Sequence, residues 1–435
     1  MSREHKDVSL KWLSTLPIDW TSLKAKYCGS FSGNGVDKKI RDNEDLYKSV
    51  HYMDVYRNSL NELCYSDSFL TVSADKNKAN ISKLKKGDIL ITNSSETPED
   101  MGHSTMIGEG FEDTLQGYHL MRFRPKQILD SHYLLFYLGS HLCRSWFSLM
   151  STGITRYGVS KSAFTELPIL VPSFETQRKI AGLLDVKINT INSIERQTKS
   201  TIEDYKLLKQ SIITEAVTKG LDKNVEMKES GVVWIGQIPK HWEMKASGSI
   251  FSNSKDRAEI SDEKLSSTQS HGVVPQSLFE EAEGRQVVSV NKNYELLKKV
   301  KKNTFVISLR SFQGGIEMSR YDGAISAAYT ILIPSNEVNT EYFRFLFKSS
   351  AYIQAIQSTI IESVREGKSV SYSDFKTIKL PIFDYNEQAE IAMYLEKRTH
   401  EIDSLIAKKE HLISDLEAYK KSLIYEYVTG KKEVE

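Results

Sequence analysis

The sequence predicts an α+β protein: two globular modules, each followed by a long helix. Three observations predict it. The chain has 435 residues, more than one hydrophobic core usually spans. Its two halves repeat the same features in the same order. Two long stretches carry apolar residues in heptad columns, the first of them with no proline and a single glycine, Gly182.

The repeat opens with WLSTLPIDW, Trp12 to Trp20, and WIGQIPKHW, Trp234 to Trp242, which share the pattern Trp, four residues, Pro, two residues, Trp. ETQRKIAGLL from Glu175 aligns with NEQAEIAMYL from Asn386, placing Gln177 on Gln388, Ile180 on Ile391 and Ala181 on Ala392. The same shift of 211 residues lays LLKQSIITEAVT on AYKKSLIYEYVT, with Ser211 on Ser422, Glu215 on Glu426 and Val217 on Val428. Between these ends, LKKGDILITNSS from Leu84 resembles VKKNTFVISLRS from Val300, a basic pair followed by a strand-like run. Phe164 and Phe375 precede LPILVP and LPIF.

The modules, within residues 1–172 and 223–383, mix strand-like runs (GDILIT, FVISL, YTILI) with helical ones (SHYLLFYLGSHLCRSWFSLM, TEYFRFLFKSSAYIQAI). Residues 173–222 and 384–435 are the long helices. In the first, Leu184, Ile191, Tyr205 and Ile212 form one column broken by Thr198; Ile180, Ile194 and Leu208 form another, broken by Lys187 and Thr201. In the second, Leu395, Ile402, Leu416 and Leu423 are interrupted by Lys409, and Ile391, Leu405, Leu412 and Tyr419 by Arg398. Asp384 and Glu387 have capping-box spacing, and Gly220 and Gly430 stand where the helices should stop. Each helix would be about 65 Å long. A heptad seam ordinarily signals dimerisation, but duplication lets the two helices pair with each other, antiparallel, with internal pseudo-two-fold symmetry.

Composition excludes several classes. Hydrophobic residues make up 40% and charged residues 26%, which is not a disordered composition. With 58 basic and 57 acidic residues, any basic surface must be local. Cys28, Cys64 and Cys143 have neither zinc-site nor disulfide-framework spacing, no apolar stretch is long enough to span a bilayer, and a cytoplasmic protein is expected. GKS at Gly367 to Ser369 has Glu362 where a phosphate loop needs glycine, and FSGNGVD supplies only a lone GxG at Gly33 and Gly35. Glu99 in TPED lacks the downstream Glu-x-Lys of a nuclease site. No catalytic site and no metal site are expected.

Were the partner DNA, as the resemblance described below implies, contacts to phosphate would position the chain and contacts to base edges would specify the sequence. Lys85 and Lys86, with Lys301 and Lys302, stand at equivalent places before a strand and suit phosphate. For base edges the candidates are Asn93, Ser94 and Ser95 after GDILIT; Arg310 and Gln313 after FVIS; Thr155, Arg156 and Tyr157 in STGITRYG; and Arg365 and Lys368 in SVREGKS. Trp20, Trp242, Phe164 and Phe375 are read as core. Gln177, Gln388, Glu215 and Glu426 are candidate partner contacts or helix caps.

The IPxxW-like openings at Leu16 to Trp20 and Ile238 to Trp242, KKGDIL at Lys85 to Leu90, LRSFQGG at Leu309 to Gly315 and the Glu/Gln-rich helix starts at Glu175 and Glu387, duplicated and in order, resemble the specificity subunit of type I restriction-modification systems over nearly the whole chain. The resemblance implies two target recognition domains, each reading half of a split, asymmetric double-stranded DNA site across a spacer set by helix length. It also implies one such chain per complex, two methyltransferase subunits docked on the helices, and restriction subunits beyond them. By the same resemblance this chain holds no cofactor, while its partners use S-adenosylmethionine, ATP and Mg2+. Two other readings stay open from the residues: a coiled-coil scaffold that binds only proteins, and the specificity partner of a single-chain methyltransferase-nuclease.

Overall fold

The computed structural model describes residues 4–10, 13–268, 271–284, 294–308, 311–359 and 370–434. Trp12, Arg310, Arg365, Lys368 and the Gly367 to Ser369 segment lie outside them. Two compact units emerge: residues 1–198 with 411–435, and residues 199–410. These units cut across the sequence division because each long helix, Phe174–Lys219 and Tyr385–Val428, gives its first half to one unit and its second half to the other.

In the first unit, the hairpin of His5–Leu10 with Leu13–Pro17 opens the chain, and strand Thr21–Lys24 pairs antiparallel with Pro168–Val171, closing the module beside the start of its helix. The main sheet has the order Gly29–Ser32, Leu120–Pro125, Ile89–Thr92, Ser104–Ile107, Glu62–Leu63, the last pair parallel. Its central strand, Ile89–Thr92, is buried throughout because both faces are covered: Ile89 and Ile91 face the core that includes helices Ser131–Gly139 and His141–Met150, and Leu90 joins a second cluster with Val50, Val55 and Phe111. Side chains Ile180, Ala181, Leu184, Ile188 and Ile191 of the first long helix share the main core with Leu423, Ile424, Tyr427 and Val428 of the second. The two segments run antiparallel, and Lys420 Nζ donates to Asn192 Oδ1 at 2.8 Å.

The second unit repeats this design. A hairpin, Met227–Glu229 with Gln237–Pro239, precedes strand Glu243–Ala246, which pairs antiparallel with Lys379–Ile382. The sheet order is Phe251–Asn253, Thr330–Pro334, Phe305–Ile307, Glu317–Met318, as in the first unit without the parallel edge. Phe305 and Ile307 face one core and Val306 the other, the same alternation. Ile213, Ala216 and Val217 meet Ile391, Ala392 and Leu395, and Lys209 Nζ reaches both Asp403 oxygens at 2.7 and 2.6 Å.

Trp20, Trp242, Phe164 and Phe375 are fully buried, as the sequence reading held. Gly220 and Gly430 do end the helices, at φ 76° and 72°. At Gly430 the close approach is strict, since a Cβ would stand 2.5 Å from Pro17 Cγ.

Three expectations need correction. Beyond Ile180 and Ile391, which are buried as read, the second heptad column is displaced by one residue: Ile194, Leu208, Leu405, Leu412 and Tyr419 are exposed, whereas Ala181, Ile188, Ile202, Ala392 and Thr399 are buried. Thr198, read as a break, is buried in the seam. The Asp384 capping box is half formed: Asp384 Oδ1 accepts from the Asn386 and Glu387 amides, but the Glu387 carboxylate turns to Trp242 Nε1 at 3.0 Å and His241 Nε2 at 2.8 Å.

Candidate nucleic-acid interface

The sequence-predicted basic pairs sit on equivalent turns. Asp88 N–H donates to Lys85 O, and Thr304 N–H to Lys301 O; the third residue of each turn, Gly87 or Asn303, has positive φ. Lys85, Lys86, Lys301 and Lys302 are exposed. Two are already paired, Lys86 with Glu109 and Lys301 with Asp256 at 3.7 Å. The first turn is anchored by the buried Asp88, which accepts from Arg124 Nε at 2.6 Å and Nη2 at 2.7 Å while also accepting from Lys85 N–H.

The base-edge candidates lie at the other end of the strand that begins after Lys85 and Lys86. Ser94–Ser95 pairs with Tyr157–Val159, Tyr157 opposite Ser95, and Tyr157–Val159 pairs with Ser151–Gly153. Residues predicted from two separate motifs therefore form one three-stranded ribbon, with Thr155 and Arg156 exposed at the tip beside Ile154, which is 92% exposed. Asn93 is the tie: its N–H donates to His119 O at 3.3 Å, and its carbonyl accepts from Val159 N–H at 2.9 Å. In the second unit Gln313 is exposed on the short helix Ser311–Gly314. The structure separates the lysine turns from the base-edge loops, because strand Ile89–Thr92 stands between them.

Gln177 and Gln388 are not available to a partner. Both are fully buried and make matching internal bonds. Gln177 donates to Ile128 O and Pro172 O and accepts from Asp130 N–H; Gln388 donates to Glu337 O and Phe383 O and accepts from Asn339 N–H. Each glutamine thus fixes the residue that caps the next module helix, Asp130 for Ser131–Gly139 and Asn339 for Thr340–Leu346. Glu215 is exposed, and Glu426 is half-buried and accepts from the Ser422 hydroxyl at 3.2 Å.

Sequence reading missed a cavity of about 450 Å³ at the root of the ribbon, where Lys38, His51, Tyr52, Tyr118 and His119 join Ser94, Ser95 and Arg156. Asp100 also lines it. Burial opposes the charge of that carboxylate, but hydrogen bonds from His103 and Tyr56 and the Arg144 charge hold it below the usual carboxylate range. The only local hint in the sequence was FSGNGVD: Gly35 lies directly against Gly117, where no Cβ would fit, and this contact seats the Gly117 to His119 turn.

Residues 34–204 match the family model described as "Type I restriction modification DNA specificity domain". The MjaX specificity subunit of Methanocaldococcus jannaschii, named as that of a type I restriction enzyme, is 25% identical over 407 residues, 91% of this chain and 89% of the relative. The MjaVIII specificity subunit of the same organism is 30% identical over 121 residues, 28% of this chain and 26% of its own. Among solved structures, a chain from work on complex assembly and conformational transition of the type I restriction-modification system has the same fold at a TM-score of 0.70 and 12% identity, covering 96% of this chain and 99% of that one. The HsdS subunit from Thermoanaerobacter tengcongensis superposes at 0.53 and 12% identity, covering 96% and 98%. The duplicated modules, the paired helices and these matches agree: residues 34–204 match a type I restriction-modification DNA specificity domain, and the chain is similar over nearly its whole length to a type I specificity subunit and in fold to solved HsdS chains.

Proposed function

We propose that this chain reads a bipartite, asymmetric site in double-stranded DNA, one half-site per unit, and carries two methyltransferase subunits, through which restriction subunits join; one such chain serves each complex. The observation behind this reading is that a single chain holds the same sheet frame twice, the first copy ending its central strand at the Ser94–Ser95 ribbon with exposed Arg156, the second carrying exposed Gln313 beyond its strand Phe305–Ile307. Two different loop sets on one repeated frame suit a target whose halves differ in sequence. Chemistry belongs to the partners in this reading: S-adenosylmethionine, ATP and Mg2+ are theirs, and the complex works in the cytoplasm as an adenine methyltransferase and ATP-dependent endonuclease. Among the described residues, no helix is long and apolar enough to cross a membrane.

The test is long-read methylation mapping in cells that express the chain with its cognate adenine methyltransferase subunit, against cells with the methyltransferase alone. A split, asymmetric adenine-methylated motif that depends on the chain is expected. Soluble, associated proteins that produce no new motif would replace this reading with a protein-only scaffold.

A further inference from the structure

The ribbon and the cavity at its root have opposite shapes. Ile154 and Thr155 are exposed at the tip and suit entry into a major groove, which admits a two-stranded β-ribbon. Bases that stay stacked in a duplex cannot enter the recess behind that tip. Phosphates can, because they project from the duplex along the edges of its grooves. Arg156 belongs to the recess as well as to the tip, for it lines the cavity together with Lys38 and His119.

Backbone ties hold these walls in place. Val36 N–H donates to Gln116 O at 2.8 Å and Tyr118 N–H to Val36 O at 2.9 Å, joining the segment of Lys38 to the turn of His119. Asn93 joins that turn to the ribbon through His119 O and Val159 N–H. The backbone roots of Lys38, His119 and Arg156 are thus set around one recess before any ligand arrives, which lowers the cost of binding one.

Charge is left open there. Lys38 and Arg156 are exposed, and neither has an ion-pair partner among the described residues. The Asp100 carboxylate on the same wall is already met by His103 Nε2 at 2.8 Å and Arg144 Nη2 at 3.6 Å, and Glu96, the other acid of the lining, is exposed. On the lysine turns, by contrast, Lys86 and Lys301 have carboxylate partners. Burial first, then the Arg156 and Lys38 charges, hold the His119 imidazole below its ordinary value, so both cations act at that ring. A neutral imidazole still supplies one N–H donor. A guanidinium, an ammonium and an N–H around one recess complement a phosphodiester.

We propose that this cavity seats one phosphate of the DNA backbone, held by Lys38, Arg156 and His119, so that Arg156 sets the register of the ribbon instead of reading a base. The proposal rests on the DNA-recognition reading above. Its test uses the complex of the full chain with its methyltransferase subunit and duplexes carrying the mapped motif, in which each phosphate in turn is replaced by an uncharged methylphosphonate.

One replacement beside one half-site is expected to weaken binding about ten-fold in the unaltered complex, and much less in Lys38→Ala or Arg156→Ala complexes, which have already lost part of the contact. In both variants the fall of log affinity with log salt should become shallower by about 1, while the methylated motif stays the same. Both side chains are exposed, so neither substitution endangers the fold. A motif relaxed at one base pair in Arg156→Ala would make that residue a base reader and overturn the assignment. Methylphosphonate losses or salt slopes unchanged in both variants would overturn it as well, with the recognition reading left standing. If the chain directs no motif at all, that reading fails and the phosphate site with it.

Discussion

In the first unit Gln177 ties Ile128, Asp130 and Pro172 to the start of its long helix; in the second, Gln388 ties Glu337, Asn339 and Phe383 in the same way. About two turns further, the helices diverge at matched positions. Asp185 pairs with His132 at 3.4 Å, while its counterpart Glu396 pairs with Arg344. Further along the helices, Lys420 bonds the neutral Asn192, while Lys209 bonds the charged Asp403. The buried neutral bonds are repeated and the exposed ones are not. Interior geometry tolerates few alternatives, because each lost partner leaves a buried backbone group unsatisfied. Surface pairs contribute little and can change sign or charge without disturbing the fold.

The largest test of this comparison removes the shared bonds. Gln177→Ala and Gln388→Ala each leave one backbone N–H and two carbonyls without their side-chain partner, at an expected cost of about 3 kcal/mol. Urea unfolding of the two variants should give similar losses. A small loss at one site and a large loss at the other would show that equal geometry conceals unequal surroundings.

These glutamines also show what the sequence could and could not reveal. Their alignment was visible, but as polar residues at a helix start they read equally well as surface contacts; only the backbone groups brought to them by Asp130 and Asn339 fix them inside. The seam shows a related limit. Leu184, Ile191, Leu395 and Ile402 are buried as read, but Ile194 and Leu405 drew the second column to the wrong face, while Ala181, Thr198 and Thr399 fill the true seam. Apolar identity does not distinguish a seam from its flank where small residues let helices approach closely. At the interface, Ser94, Ser95 and Arg156 were legible as residues after strands. The cavity was not, because Lys38, His51 and His119 lie far apart in sequence and meet only through tertiary bonds such as Asn93 N–H to His119 O.

A smaller effect separates the helix ties by pH. The hydrogen bond to Asp185 raises the His132 pKa above its ordinary 6.5, against the lowering effect of burial. A raised folded value means that the tie stabilises fully below pH 6.5 and is lost as pH rises through the folded pKa. Both side chains are about 40% exposed, so solvent screening limits the contribution to about 0.5 kcal/mol. His132→Leu should therefore destabilise the chain in mild acid and hardly at all in mild alkali. Arg344→Leu should show no such dependence across neutrality, since its guanidinium stays charged. A matching pH profile for the two variants would mean that the histidine is not the element that distinguishes these ties.

The smallest expected effect concerns the seam's lysines. Lys209 and Asp403 form an ion pair with side chains 28% and 53% exposed, a setting worth about 0.5 kcal/mol at low ionic strength. Lys209→Ala should lose that much in dilute buffer and much less in about 1 M salt, where the screening length falls to about 3 Å. Lys420→Ala removes a bond to a neutral amide, so its cost should change little with salt. Asp403→Asn copies the first unit's chemistry into the second and should erase the salt dependence of the Lys209 substitution while leaving the helix in place. If Lys209→Ala kept its salt response in the Asp403→Asn background, that response would arise from charges elsewhere along the seam, and the pair itself would count only as geometry.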